Sequence, residues 1–157
     1  MQLKQLLDED WEFRMQADPL YATYTGDHRF DDRLPTVSDS AFESWLQTKR
    51  GFLSRLRQIN RDMLVPADRL NYDIFRRLLE NEIAELEFRA YRMPISKTGG
   101  FHIEFPELSR FAPFNTLQDI ENYIARLNGF HRYALEYIDL MREGLRQGQV
   151  PARVTLE

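Results

Sequence analysis

The stretch that decides the fold is Pro66-Ala-Asp-Arg-Leu70-Asn-Tyr-Asp-Ile-Phe75-Arg-Arg-Leu-Leu-Glu80-Asn-Glu-Ile-Ala-Glu85-Leu-Glu-Phe-Arg-Ala90-Tyr91. Pro66 suits the first turn of a helix, where its missing N–H is not needed. The 3.6-residue period then predicts a helix to about Tyr91. Met93-Pro94 stops it, because the residue before proline avoids the α region. Tyr72, Phe75, Leu79, Ile83, Leu86 and Ala90 form one apolar stripe. Leu70, Ile74, Leu78 and Phe88 form a second, with Glu82, Glu85 and Arg89 between the two. A helix apolar on two sides is expected to be buried on two sides, which places it centrally in a bundle. The carboxylates between the stripes then need partners, since an unpaired buried charge is very costly. Arg89 stands four residues after Glu85 and can serve, so Glu82, Glu85 and Arg89 form a candidate structural ion-pair network.

Working outward, the same period recurs on both sides. Residues Gln2 to Ala17 carry Leu3, Leu6, Leu7, Trp11 and Phe13. Asp18-Pro19 reads as an N-cap followed by proline, opening a short helix to Thr25 that stops at Gly26. The next long helix starts near Ser38 to Ser40 and places Phe42, Trp45, Leu46, Phe52, Leu53, Leu56, Ile59 and Met63 on one stripe. Its other face holds Arg50, Arg57 and Arg61, and Gly51 inside it predicts a close helix crossing. After the long helix, Ile95 to Asn115 reads as one long irregular loop, broken by Gly99-Gly100, Pro106 and Pro113. The alternation in Phe101-His-Ile-Glu-Phe105 predicts one short strand there, with His102 and Glu104 on the same strand face. Two helices close the chain, divided by a break at Asn128-Gly129. The first is capped by Thr116 and Asp119; the second carries Phe130, Tyr133, Ala134, Tyr137, Ile138, Met141 and Leu145 and stops near Gly148. The expectation is an all-α fold, an antiparallel helical bundle of about five to six helices, as a single domain over residues 1–157.

Composition bounds the chemistry. The chain has 157 residues, no cysteine and a net charge of −4. Thiolate metal sites, disulfides and cysteine nucleophiles are therefore excluded. Hydrophobic residues make up 43% and aromatics 13%, too rich for disorder. No apolar run approaches a membrane span. A pI near 5.5 argues against nucleic acid as a partner. The bases are 18 Arg and 3 Lys against 25 acids, a composition suited to ion-pair networks. As it stands the sequence opens without a leader and reads as cytoplasmic; removal of a signal peptide would make it secreted or periplasmic.

No catalytic motif emerges. His28, His102 and His131 lack a second histidine at helical spacing, and none follows Glu-x-x. There is no phosphate loop and no Gly-x-Ser-x-Gly. A carboxylate-metal centre on Glu82 and Glu85 is a remote alternative. Two segments stand out: Gly26-Asp-His28-Arg29-Phe-Asp-Asp-Arg33, dense in alternating charge, and Phe101 to Phe105. From them His102, Glu104, Phe101, His28 and Arg29 are candidate cleft-lining residues.

The run Asp18-Pro-Leu-Tyr-Ala-Thr-Tyr-Thr-Gly-Asp-His-Arg-Phe-Asp-Asp-Arg-Leu34 resembles the opening signature of a bacterial family, domain of unknown function 885. Arg69-Leu-Asn-Tyr-Asp73, Tyr91-Arg-Met-Pro94 with Gly99-Gly-Phe-His102, Thr116-Leu-Gln-Asp119 with Tyr123 and Arg126-Leu127, and Arg142-Glu-Gly-Leu-Arg-Gln-Gly148 resemble later family segments in order. The resemblance implies a zincin-like metallopeptidase with a carboxypeptidase-like helical fold. Family members are several times longer, and their zinc-binding His-Glu-x-x-His lies downstream of these segments. The chain thus looks like the N-terminal portion only, inactive alone and with no catalytic or metal residue of its own. Its implied partners are the remainder of the same polypeptide and, in the full-length protein, zinc and a peptide substrate. The fragment would also self-associate through uncovered apolar surface. The rival reading is a self-contained helical module that binds a peptide or small anion. A complete module should cover both stripes of the long helix; a portion of a larger fold should expose one.

Overall fold

A computed structural model describes residues 2–96 and 99–153. The described residues form an all-α fold with six α-helices and no strand. These are α1 (Gln2–Ala17), α2 (Pro19–Thr25), α3 (Asp39–Arg57), α4 (Pro66–Phe88), α5 (Phe101–Glu107) and α6 (Leu117–Arg146). Among the described residues no helix is long and apolar enough to cross a membrane. Contacts gather the chain into two compact units.

The first unit comprises Met1–Phe13 and Ser40–Arg89. Its core is Leu3 and Leu6 of α1, Leu46, Phe52, Leu53 and Leu56 of α3, and Tyr72, Phe75, Leu79 and Ile83 of α4. Phe13 packs edge-on against both Trp45 and Phe52. Pro66 does open α4, but the helix stops at Phe88, short of the expected Tyr91, because Arg89 caps it in the left-handed conformation and Ala90–Arg92 forms a 3-10 turn. α4 is not buried on two sides. Tyr72, Phe75, Leu79 and Ile83 are buried, but Leu70, Ile74, Leu78 and Phe88 are half or more exposed. Gly51 makes no close crossing either, since a Cβ there would meet nothing within 4 Å.

The second unit comprises Arg14–Asp39 and Ala90–Glu157. Asp18 caps α2 by accepting the Tyr21 N–H, Pro19 occupies the first turn, and Gly26 closes the helix at φ +89°. The region from Ile95 to Asn115 is not one loop with a strand. Phe101–Glu107 forms α5, followed by a 3-10 turn at Leu108–Arg110. The alternation was misleading because Phe101, Phe105 and Leu108 also repeat at helical spacing, and these three are the buried residues. Nor do two helices close the chain. α6 runs unbroken through Asn128-Gly129 for 30 residues. A single glycine costs roughly 1 kcal/mol in a helix interior. The capping box of Thr116 and Asp119 and the buried face of Arg126, Tyr133, Leu140 and Gly144 outweigh it. Close approach falls instead at Gly144, where a Cβ would lie 2.9 Å from the Gln149 carbonyl and 3.2 Å from the Arg92 side chain.

Candidate functional site

The charged loop after α2 is organised by one buried cation. Arg126, on α6, is 1% exposed. Its Nε–H donates to the Arg33 carbonyl at 3.0 Å. One terminal nitrogen donates to the carbonyls of Pro19 at 2.9 Å and Phe30 at 3.1 Å, and to the Thr23 hydroxyl at 2.7 Å. The same nitrogen lies 3.7 Å from Asp31 Oδ1. A planar guanidinium holds its donors on separate nitrogens in a fixed fork, so Nε and a terminal nitrogen reach different carbonyls at once. Burial pulls the Arg126 basicity down, and the charges of Asp31, Asp32 and Asp18 push it back up.

Around this cation the loop side chains pair in order. Thr23 donates its hydroxyl to Asp31 Oδ1 at 2.5 Å, and Asp31 Oδ2 lies 2.9 Å from His28 Nδ1. Arg29 grips Asp27 through both Nε and a terminal nitrogen, at 2.9 and 2.6 Å. That contact holds the Asp27 carboxyl below its usual range. Asp18 moves the other way. Burial raises it, and the Tyr21 and Leu20 N–H groups only partly oppose the rise. Arg92 adds a second buried cation, donating to Asp39 Oδ1 at 2.9 and 3.0 Å and to Gln149 at 3.1 Å.

Phe101, His102 and Glu104 share α5. Phe101 is buried and stacks on Tyr137 with ring centroids 4.5 Å apart. His102 is exposed and edge-on to Phe101. Glu104 is also exposed and accepts the Gly100 N–H at 3.2 Å. Because α5 is helical, His102 and Glu104 stand about 200° apart around its axis, not on one face. Phe105 stacks on Phe130 at 4.3 Å and extends the aromatic group to Tyr133.

Tyr133 and Tyr137 bring their hydroxyls within 3.4 Å. Burial pushes both phenols up, most strongly Tyr133, and the charges of Glu104 and Asp18 add to the rise. A group whose folded pKa is raised contributes stability below its unfolded pKa and loses it as pH rises through the folded value. The second unit should therefore weaken above about pH 10, where an unfolded tyrosine ionises. In a spectrophotometric titration, Tyr133 and Tyr137 should ionise together with loss of helix, after the exposed tyrosines. Smooth ionisation of all seven tyrosines ahead of any helix loss would contradict this.

In the first unit, Glu82 meets Lys49 rather than Arg89. Lys49 is fully buried, with Nζ 2.6 Å from Asp10 Oδ1 and 2.9 Å from Glu82 Oε2. The Phe13 ring centroid lies 5.7 Å from the same nitrogen. Arg50, Arg57 and Arg61 face solvent, where they pair with Glu87, Glu80 and Asp73. Among the described residues no three His, Asp or Glu side chains gather as a metal site. The donor set does not fit zinc: Glu82 is beside an ammonium, and the carboxylate next to His28 is held by Thr23 and Arg126.

The folded arrangement thus joins the Asp18–Leu34 run to Arg126, two segments far apart in sequence that both belong to the family likeness. A family model for bacterial proteins of unknown function, DUF885, matches residues 19–157. The chain belongs to the DUF885 family. No curated protein and no solved structure matches it. Within this DUF885 chain, sequence reasoning missed Lys49 and the central part of Arg126. Lys49 carried a signal: it falls on the apolar stripe of α3, three residues from Leu46 and Phe52. For Arg126 the signal was weaker, an arginine one turn from the apolar residues Tyr123 and Phe130.

Proposed function

We propose that the chain is the helical scaffold and a cleft wall of a zinc-dependent metallopeptidase, acting with the remainder of the same polypeptide, which holds the metal. The observation that supports this is the outer stripe of α4. Leu70 is 61% exposed, Ile74 50%, Leu78 51% and Phe88 65%. Four large apolar residues in register on one helix face mark a surface built to be covered. At about 25 cal/mol per Å² of apolar surface, leaving it in water forgoes several kcal/mol. A self-contained binding module would have covered it. In this reading His28, Arg29 and His102 face the cleft, the buried Phe101 backs them, and Glu104, on the other side of α5, holds the turn by accepting the Gly100 N–H.

Reading the parent frame beyond Glu157 tests the proposal. The expected result is a downstream His-Glu-x-x-His followed by an acidic ligand. A stop codon with no such motif would remove it. In the zinc-loaded parent, replacing His102 should lower kcat/KM and leave zinc content unchanged. An unaltered kcat/KM would withdraw His102 from the cleft.

A further inference from the structure

We propose that His28 is the proton-accepting residue of the signature loop: Asp31 holds its Nδ1–H, which leaves Nε2 bare toward solvent to receive an N–H or O–H group of a ligand. Naming that ligand as a peptide rests on the metallopeptidase reading; the state of the imidazole does not.

All three histidines, His28, His102 and His131, are exposed. Among the described residues, His28 alone of the three has a carboxylate on a ring nitrogen, at 2.9 Å. An ionised carboxylate only accepts, so Nδ1 must donate, and a neutral ring then carries no proton on Nε2. The arrangement is one-sided by burial. His28 is 51% exposed, whereas Asp31 is 4% exposed. Asp31 cannot turn away, because its other oxygen takes the Thr23 hydroxyl and faces Arg126. Thr23 is itself fixed by the Arg126 donor. Base, orienting carboxylate and anchoring groups thus stand in series, the arrangement that prepares an imidazole to accept a proton. Closing the loop does not require it. Asp27 already caps the His28–Phe30 turn through the Arg29 N–H and pairs with the Arg29 side chain. The other carboxylates that interact with His28 are Asp27, which Arg29 holds, and Asp119 at the start of α6.

Diethyl pyrocarbonate, used on this chain alone, tests the assignment. Nε2 attacks one carbonyl carbon, and the bond from that carbon to the bridging oxygen breaks. Ethyl carbonate departs and decomposes to ethanol and carbon dioxide, while the Nδ1 proton leaves toward Asp31. At mildly alkaline pH, peptide mapping should show His28 modified several-fold faster than His102 and His131. Nitrogen NMR should show His28 as the Nδ1–H tautomer. Asp31→Asn should bring the His28 rate down to that of the other two. Equal rates in the unaltered chain, an Nε2–H tautomer, or an unchanged rate in a folded Asp31→Asn variant would each overturn the proposal. Should Asp31→Asn not fold, the comparison among the three histidines still decides. A failed metallopeptidase reading would leave all of these measurements untouched.

Discussion

Lys49→Met should destabilise the first unit by about 3–5 kcal/mol, the usual cost of removing one partner from a buried ion pair. The ammonium is fully buried and stands between Asp10 and Glu82. Without it, Asp10 and Glu82 both lose the ammonium that they share, beside the Phe13 ring. Against a typical domain stability of 5–15 kcal/mol, such a loss is a large share. Urea denaturation would read it as a lower midpoint with little change in slope. The magnitude comes from stranded charge rather than from a lost attraction. Lys49→Met combined with Asp10→Asn and Glu82→Gln should therefore recover most of the loss, because a neutral, well-packed replacement of a buried ion set is often close to neutral in stability. A Lys49→Met loss below about 1 kcal/mol, within the range of an exposed pair, would mean that water reaches this site.

What was legible in the sequence follows the reach of each force. Helix starts and stops are local. Pro66, the Asp18-Pro19 pair and the left-handed Gly26 act within a few residues of themselves, and each does in the fold what its chemistry dictates. The capping box at Thr116 belongs with them. Signals that depend on neighbours were harder to read. Phe101 to Phe105 alternates like a strand, but a helix results because Phe101 and Phe105 lie one turn apart and bury together against Tyr133 and Tyr137. Asn128-Gly129 has breaker chemistry, yet packing along α6 carries the helix across it. The second stripe of α4 is apolar, but periodicity alone cannot say whether a surface is covered, and this one is exposed. Charge pairing was the least legible of all. Glu82 and Arg89 fall within one helical period in the sequence, yet Arg89 caps α4 and the cation that meets Glu82 comes from α3, because partners are chosen by tertiary proximity and not by spacing along one helix. Of the candidate cleft residues, His28 and Arg29 were readable as a charged loop. Their pairing with Asp31 and Asp27 follows from turn geometry that composition does not specify.

Arg126→Met should cost the second unit a comparable amount, about 3–5 kcal/mol, by a different route. Here one cation satisfies four backbone and hydroxyl acceptors as well as facing a buried carboxylate. Methionine fills much of the volume but removes this donor from three carbonyls. Those of Pro19 and Phe30 keep the Thr23 hydroxyl and the Arg33 N–H, whereas that of Arg33 loses the Arg126 bond. A buried acceptor so stranded costs about 1–3 kcal/mol. The loop can relax to let water in, so these costs should not simply add. That relaxation is itself measurable. Amide hydrogen exchange should accelerate across residues 19–33 well before it does in the first unit, because the opening is local. Arg126→Lys sharpens the argument. It keeps the charge beside Asp31 but replaces the planar fork with one compact donor group. If the network works chiefly through charge, lysine should restore stability; if it works through the directed fork, lysine should remain about 1–3 kcal/mol below arginine. The geometry favours the second outcome. Asp31 lies 3.7 Å from the guanidinium, beyond hydrogen-bond distance, whereas the carbonyls of Pro19, Phe30 and Arg33 and the Thr23 hydroxyl lie within 2.7 to 3.1 Å. Full rescue by lysine, with exchange across residues 19–33 as slow as in the unaltered chain, would show that charge alone holds the loop.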